Sequence, residues 1–247
     1  TLDTAIGYGN SETSIGEANR SNIDVITKLP KCSNSERNIK KEIIENVHNS
    51  INRLRVKKLY GILLHHSKDL RNTNQLEIYN SLLCCKENNL CSKIGVSGYS
   101  SEEIFYVIKK YDIDLIQLPY NIINRELVTS GLISKLKEKN IEIHVRSIFM
   151  QGLLLLKPDK LHMYFTKWKP IFINWFNWLE KNNLTPLEAC LSFVLGNNML
   201  DKIVIGIDSI EQFKQIINIS KKIDNIFPPD NLISHDTDLI NPSNWKV

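Results

Sequence analysis

Short runs of β-branched and aliphatic residues alternate along this chain with longer stretches of helical pattern. The short runs, at 1–4, 24–29, 59–65, 93–97, 114–118, 141–147 and 202–207, read as strands. The longer ones, at 11–19, 35–54, 73–88, 101–110, 131–139, 185–197 and 209–221, read as helices. Two helix starts are spelled out in side-chain chemistry. Thr185-Pro-Leu-Glu188 is a capping box with proline in the first turn, and Ser209 followed by Glu211 and Gln212 opens a helix that faces a ligand loop. Strands separated by helices imply βαβ units and a parallel sheet, an α/β fold. Between 153 and 178 the chain is rich in aromatics. Phe172, Trp175, Phe176 and Leu179 recur at helical steps, the mark of a face packed on a core.

Length and composition narrow the class without naming it. A chain of 247 residues suits a single domain over 1–247, closing in a tail from about 225 to 247. The net charge of +4 is modest and its lysines and arginines are dispersed, which argues against a nucleic-acid partner. Five cysteines, an odd number without Cys-x-x-Cys spacing, read as reduced thiols of a cytoplasmic protein, with neither disulfides nor a metal site. No apolar run approaches the ~20 residues of a membrane span.

The chemistry lies where strands end. Asp3, Tyr8, Lys28 and His65 supply an acid, a phenol, an amine and an imidazole, the set that carbonyl reduction by a nicotinamide cofactor requires. Hydride arriving at a carbonyl carbon leaves negative charge on oxygen, so a proton donor must stand beside it. A free phenol titrates near ~10. An adjacent ammonium favours the phenolate and makes the phenol a better acid, a carboxylate holds the ammonium, and the imidazole orients the carbonyl. Asp3 and Lys28 alone would read as a buried ion pair; Tyr8 tips the reading to catalysis.

The wording around these residues resembles the aldo-keto reductase superfamily. It does so in Asp3-Thr-Ala-Ile-Gly-Tyr8-Gly-Asn-Ser-Glu12, Ile26-Thr-Lys28, Leu63-Leu-His65, Lys93-Ile-Gly-Val-Ser-Gly98, Ile116-Gln-Leu-Pro-Tyr-Asn121, Arg146-Ser147 with Gln151-Gly-Leu-Leu154, and Ile203-Val-Ile-Gly-Ile-Asp-Ser-Ile-Glu-Gln212. The resemblance implies a (β/α)8 TIM barrel with its site at the C-terminal ends of the strands. Seven strand–helix units can be counted. Because relatives carry another strand and helix ahead of the Asp3 segment, the expectation is an N-terminally truncated barrel with an open seam between the first and last strands.

The resemblance also implies an NADP or NAD cofactor and a small-molecule carbonyl substrate, in a cytoplasmic protein away from membranes. Ser97 and Gln117 match the positions that hold the nicotinamide carboxamide, and Gly98 stands where an asparagine is usual. Arg146, beside Ser147, replaces a stacking aromatic, and a guanidinium plane also stacks on a flat ring. Gln151, Gly152 and Leu153 would line the pyrophosphate loop, and Tyr164 and Trp168 fall in the segment after a strand where relatives build part of the substrate pocket, which makes them candidates to touch the substrate. Gly206, Asp208, Ser209 and Gln212 occupy the adenosine end, where the Asp208 carboxylate would repel a 2′-phosphate and accept from a ribose hydroxyl. In relatives a Glu-Asn pair commonly holds the adenine, and Gln215-Ile216 stands there here. The departures at Gly98, Arg146 and Ile216 keep two alternatives open: a cofactor-binding sensor or accessory subunit with little turnover, as the potassium-channel beta subunits of this superfamily are, and an inactive truncated relative.

Overall fold

The computed structural model describes residues 1–18, 23–32, 38–222 and 226–247. Positions 19 and 35–37 of the expected helices, and 225 of the expected tail, lie outside them. In chain order the elements are β1 (Leu2–Asp3), α1 (Ser11–Ala18), β2 (Val25–Leu29), α2 (Ile39–Leu54), β3 (Leu59–Leu64), α3 (Gln75–Glu87), β4 (Cys91–Ser97), α4 (Ser101–Lys110), β5 (Leu115–Pro119), α5 (Glu126–Thr129), α6 (Leu132–Glu138), β6 (Glu142–Arg146), α7 (Lys169–Lys181), α8 (Pro186–Leu195), β7 (Lys202–Ile203), α9 (Ile210–Ser220) and α10 (Thr237–Ile240). The seven strands follow sequence order in one sheet, parallel where their pairing is defined. The fold is α/β, with seven strand–helix units of the expected kind.

β1 and β7 are only two residues long, shorter than their sequence pattern predicts. Both stand at the ends of the strand order, where hydrogen bonds are made to one neighbour. Extended backbone nevertheless continues past each: Thr4 and Ile6 donate to the Ile26 and Lys28 carbonyls at 2.9 and 3.1 Å, and Val204 donates to Val145 at 2.8 Å.

Two compact units make up the chain, Thr1–Gln117 with Glu138–Glu142, and Leu118–Lys137 with Ile143–Val247. In the first, strand register does the positioning. Ile26 pairs with Gly61, Lys28 with Leu63, Leu63 with Gly95, Gly95 with Leu115, and Ser97 with Gln117. Side chains alternate across a strand, so these residues share one face. Ile26, Leu63 and Leu115 form an apolar layer there, with Tyr60 packed against it. Toward the strand starts Tyr60 donates to Glu142 at 2.8 and 3.0 Å, and Lys93 pairs with the same carboxylate. Burial, then the hydrogen bond to Glu142, pushes the Tyr60 phenol above its usual range. Toward the strand ends lie Lys28, Ser97 and Gln117, all buried.

The helices of this unit pack closely around α2. Asn38 caps α2 by accepting from the Lys41 amide, and Ile39, Ile43, Val47, Ser50 and Leu54 bury one stripe of it. α1 meets the end of α2 at Gly16, where a Cβ would come 2.1 Å from the Arg53 carbonyl oxygen. Glu12 fastens that junction. Its buried carboxylate accepts from Thr27 Oγ1 at 2.6 Å and from Arg53 Nε at 2.7 Å.

The second unit has an aromatic core. Phe172, Trp175 and Leu179 of α7 bury against Ala189 and Cys190 of α8 and against Leu232, Leu239 and Ile240 of the tail. The helical spacing of 172–179 is thus a core face. The expected capping box is formed, Thr185 accepting from the Glu188 amide while Glu188 accepts from the Thr185 amide. The tail is held by Arg125, which donates to the Pro228 and Pro229 carbonyls at 2.9 and 3.2 Å. Tyr164 donates to the Asp238 carbonyl and Trp168 to the Asp236 carboxylate, so both candidate substrate residues pack on the tail. No residue of α9 is buried.

Candidate active site

Asp3, Tyr8, Lys28 and His65 converge within the first unit. Asp3 closes β1, Lys28 is next to last in β2, and His65 follows β3 directly. The His65 amide donates to the Leu29 carbonyl at 3.2 Å, which fixes its backbone to β2. Tyr8 sits in the turn between β1 and α1, its amide donating to the Ala5 carbonyl at 3.0 Å, with Gly9 at φ +55° supplying the left-handed residue.

The side chains form one electrostatic chain. Lys28, about 1% exposed, pairs with Asp3 Oδ1 and donates to the Thr4 carbonyl at 2.9 Å. A lysine so buried keeps its charge only with such partners. Its Nζ lies 5.5 Å from the centroid of the Tyr8 ring, and the His65 ring meets Tyr8 edge-on at 5.7 Å between centroids. Tyr8 itself is half exposed, so the phenol stands between buried charge and solvent. The arrangement offers a proton donor beside a fixed cation, with an imidazole along the same edge.

Gln117 joins this chain from the far side. Its Nε2 donates to Asp3 Oδ2 at 2.7 Å. Sequence reasoning singled out Gln117 for a cofactor contact and missed this bond. Neither the side-chain oxygen Oε1 of Gln117 nor the Ser97 hydroxyl takes a hydrogen bond among the described residues. Both side chains are at least nine-tenths buried and their residues pair in register. The Gly98 amide donates to the Gln117 carbonyl at 3.0 Å and so extends the β4–β5 ladder.

The remaining candidates lie in the second unit and are differently built. Arg146 ends β6, and its Nη1 is 3.5 Å from Ser147 Oγ. Ser147, Met150, Gln151 and Gly152 all have positive φ, between 52° and 84°, which winds 147–152 into a tight turn. Asn121 anchors that turn. Its side-chain nitrogen donates to the Ser147 carbonyl at 3.0 Å while its oxygen accepts from the Ile123 and Asn124 amides. Asn121 stood in a matching segment, yet nothing in the sequence marked it as the anchor. The Leu153 side chain is buried in the aromatic core, leaving only its backbone toward the turn. Gly206 and Asp208 are exposed. Ser209 caps α9 through the Gln212 amide, and the Gln212 side chain accepts from the Asp208 amide at 2.9 Å.

The family model for aldo/keto reductases matches residues 1–225. The chain belongs to the aldo/keto reductase family. That membership makes it one of a family of oxidoreductases. Its fold is similar to that of an aldo-keto reductase from Bacillus halodurans. The holo form of that protein is 20% identical with a TM-score of 0.72, covering 94% of this chain and 80% of that one. Its apo form is 22% identical with a TM-score of 0.70, covering 89% and 75%. A thermostable aldo-keto reductase solved with the inhibitor epalrestat is 17% identical with a TM-score of 0.68, covering 93% and 78%. No curated protein matches the sequence. Among the described residues of this aldo/keto reductase, no helix is long and apolar enough to cross a membrane, and no cluster of three His, Cys, Asp or Glu could hold a metal ion.

Proposed function

We propose that this chain reduces an aldehyde or ketone at the expense of NADPH or NADH, or runs the reverse alcohol oxidation, with Tyr8 as general acid. The observation that carries the reading is the Asp3–Lys28 pair lying beside the Tyr8 ring with His65 along its edge. The dihydronicotinamide, when bound, supplies the hydride. As negative charge builds on the carbonyl oxygen, Tyr8 gives that oxygen its proton and becomes a phenolate. The Lys28 ammonium stabilises that phenolate, and Asp3 keeps the ammonium in place. His65 donates a hydrogen bond to the same oxygen and orients it.

For the cofactor, Ser97 and Gln117 would hold the carboxamide, and Arg146 and Ser147 the ring. Gln151, Gly152 and the Leu153 backbone would hold the pyrophosphate, and Gly206, Asp208, Ser209 and Gln212 the adenosine end. The five free cysteines fit a cytoplasmic site of action. A second reading, a cofactor-binding accessory protein with little turnover, draws on Ser209 and Gln212, whose side chains are already engaged in capping α9. Oxidation of NADPH and NADH, followed by absorbance across a panel of aldehydes and ketones, separates the two. Turnover of any carbonyl supports the enzyme; cofactor binding with none supports the accessory protein.

A further inference from the structure

The Gln117–Asp3 bond spans 114 positions of sequence and joins two groups with separate expected roles. A carboxylate accepts hydrogen bonds and donates none, so the amide must present its nitrogen to Asp3 and turn its oxygen away. Each Asp3 oxygen then has its own partner, Lys28 on Oδ1 and Gln117 on Oδ2. With Lys28 and Gln117 each about 1% exposed, water is a poor replacement for either bond.

We infer that Gln117 is a positioning residue for the proton donor: by holding the Asp3 carboxylate it sets how much of the Lys28 charge reaches Tyr8. This rests on the reading of Tyr8 as general acid. The amide draws negative charge toward Oδ2 and fixes the carboxylate plane. Without it, Asp3 is a stronger base that neutralises Lys28 more fully, and the phenol feels less positive charge. The carbonyl end of the same amide lies in register with Ser97, so a group bound at Ser97 and Gln117 pulls on the proton donor through one side chain. Among the described residues of the first unit, the charged and titratable groups facing Tyr8 include Lys28 from β2, paired with Asp3 of β1, and His65 after β3, whose ring lies 5.4 Å from that of His66. Glu12 of α1 is engaged by Thr27 and Arg53.

The test reads the Tyr8 phenol directly in the cofactor-free chain. Phenolate absorbance is titrated in the parent, in Gln117→Met and in Gln117→Glu, each against the same protein carrying Tyr8→Phe, so that the difference isolates one tyrosine. The phenol pKa should rise from parent to Gln117→Met, which keeps the shape and removes the donor. It should rise further, by roughly one unit or more, in Gln117→Glu, where the introduced carboxyl adds negative charge at the pH of the titration. A merely structural role would lower the urea midpoint and leave the phenol in place; identical titrations in Gln117→Met and parent would overturn the inference. If Gln117→Met does not fold, Gln117→Glu decides. At the pH of the titration its carboxylate cannot donate to Asp3, so the bond is lost there as well, and an unshifted phenol is equally fatal. The proposed function fails separately, by absence of carbonyl turnover in the parent, and that result leaves the phenol titration to judge Gln117.

Discussion

The two units hold their candidate residues by different means. In the first, the candidate side chains stand on or beside strands, and two of them are held by a partner on another strand: Lys28 by Asp3, and Asp3 by Gln117. In the second, the residues expected at the nucleotide lie in turns and at a helix start, and several are spent on the backbone. On the proposed reading, chemistry that depends on an ångström of placement would sit on strand-held side chains, and recognition of a large, flexible ligand would fall to exposed turns whose identity can drift. The departures from the family pattern at Arg146 and Ile216 fall in that second, more permissive region.

The sharpest way to break this contrast is Tyr8→Phe. It keeps the ring against Lys28 and His65 and removes only the hydroxyl that donates the proton, so turnover should fall by roughly 10²–10⁴-fold while cofactor binding, measured by fluorescence titration, stays nearly intact. Unchanged turnover would end the mechanism. Lys28→Met should come next, this time in stability. It leaves the partly buried Asp3 carboxylate without its cation, at a cost of about 3 kcal/mol by urea denaturation, the low end for breaking a buried pair. A loss below about 1 kcal/mol would mean that water reaches Asp3, and that the first unit is not the rigid one.

Two glycines make a smaller, paired test. Gly16→Ala forces a methyl to 2.1 Å from the Arg53 carbonyl, so α1 must shift, at about 1–3 kcal/mol. At Gly206 a Cβ meets nothing within 4 Å, so Gly206→Ala should leave the urea midpoint almost unmoved. Equal effects at both sites would erase the distinction between the units. The smallest expected effect is in cofactor choice. Asp208 is exposed, and its repulsion of a 2′-phosphate is screened by salt. The chain should favour NADH over NADPH, and Asp208→Asn should shift the ratio of their dissociation constants toward NADPH by at most about tenfold. A clear NADPH preference in the parent would refute the role given to Asp208.

Much of the fold was legible in the sequence because β-branched runs and helical stretches alternate plainly along it. The ends of those runs, with the family-like wording around them, put Asp3, Tyr8, Lys28 and His65 together as candidates. The helix starts at Thr185 and Ser209 were equally plain, since a cap is a local hydrogen bond between residues three apart. What escaped is what joins distant segments. Nothing near Gln117 announces a bond to Asp3, nothing near Tyr60 and Lys93 points to Glu142, and nothing at Asn121 marks it as the anchor of Ser147. The aromatic stretch misled in part for the same reason. Tyr164 and Trp168 follow a strand, as pocket residues do, but their polar atoms are taken by a tail some seventy positions on.

α9 carries one more consequence. Its eleven residues bury nothing, and Ile210 and Phe213 face solvent at 67% and 50% exposure. A helix of that length gains little from its own hydrogen bonds in water. Its closing free energy therefore rests largely on the Ser209 cap and its contact with α8, and its amides should exchange with deuterium long before those of α2 or α8. A nucleotide seated at its first turn would have to order that helix as part of binding. Some of its affinity would then be consumed as lost chain entropy, and adenosine-end contacts would appear weaker in titrations than their number suggests.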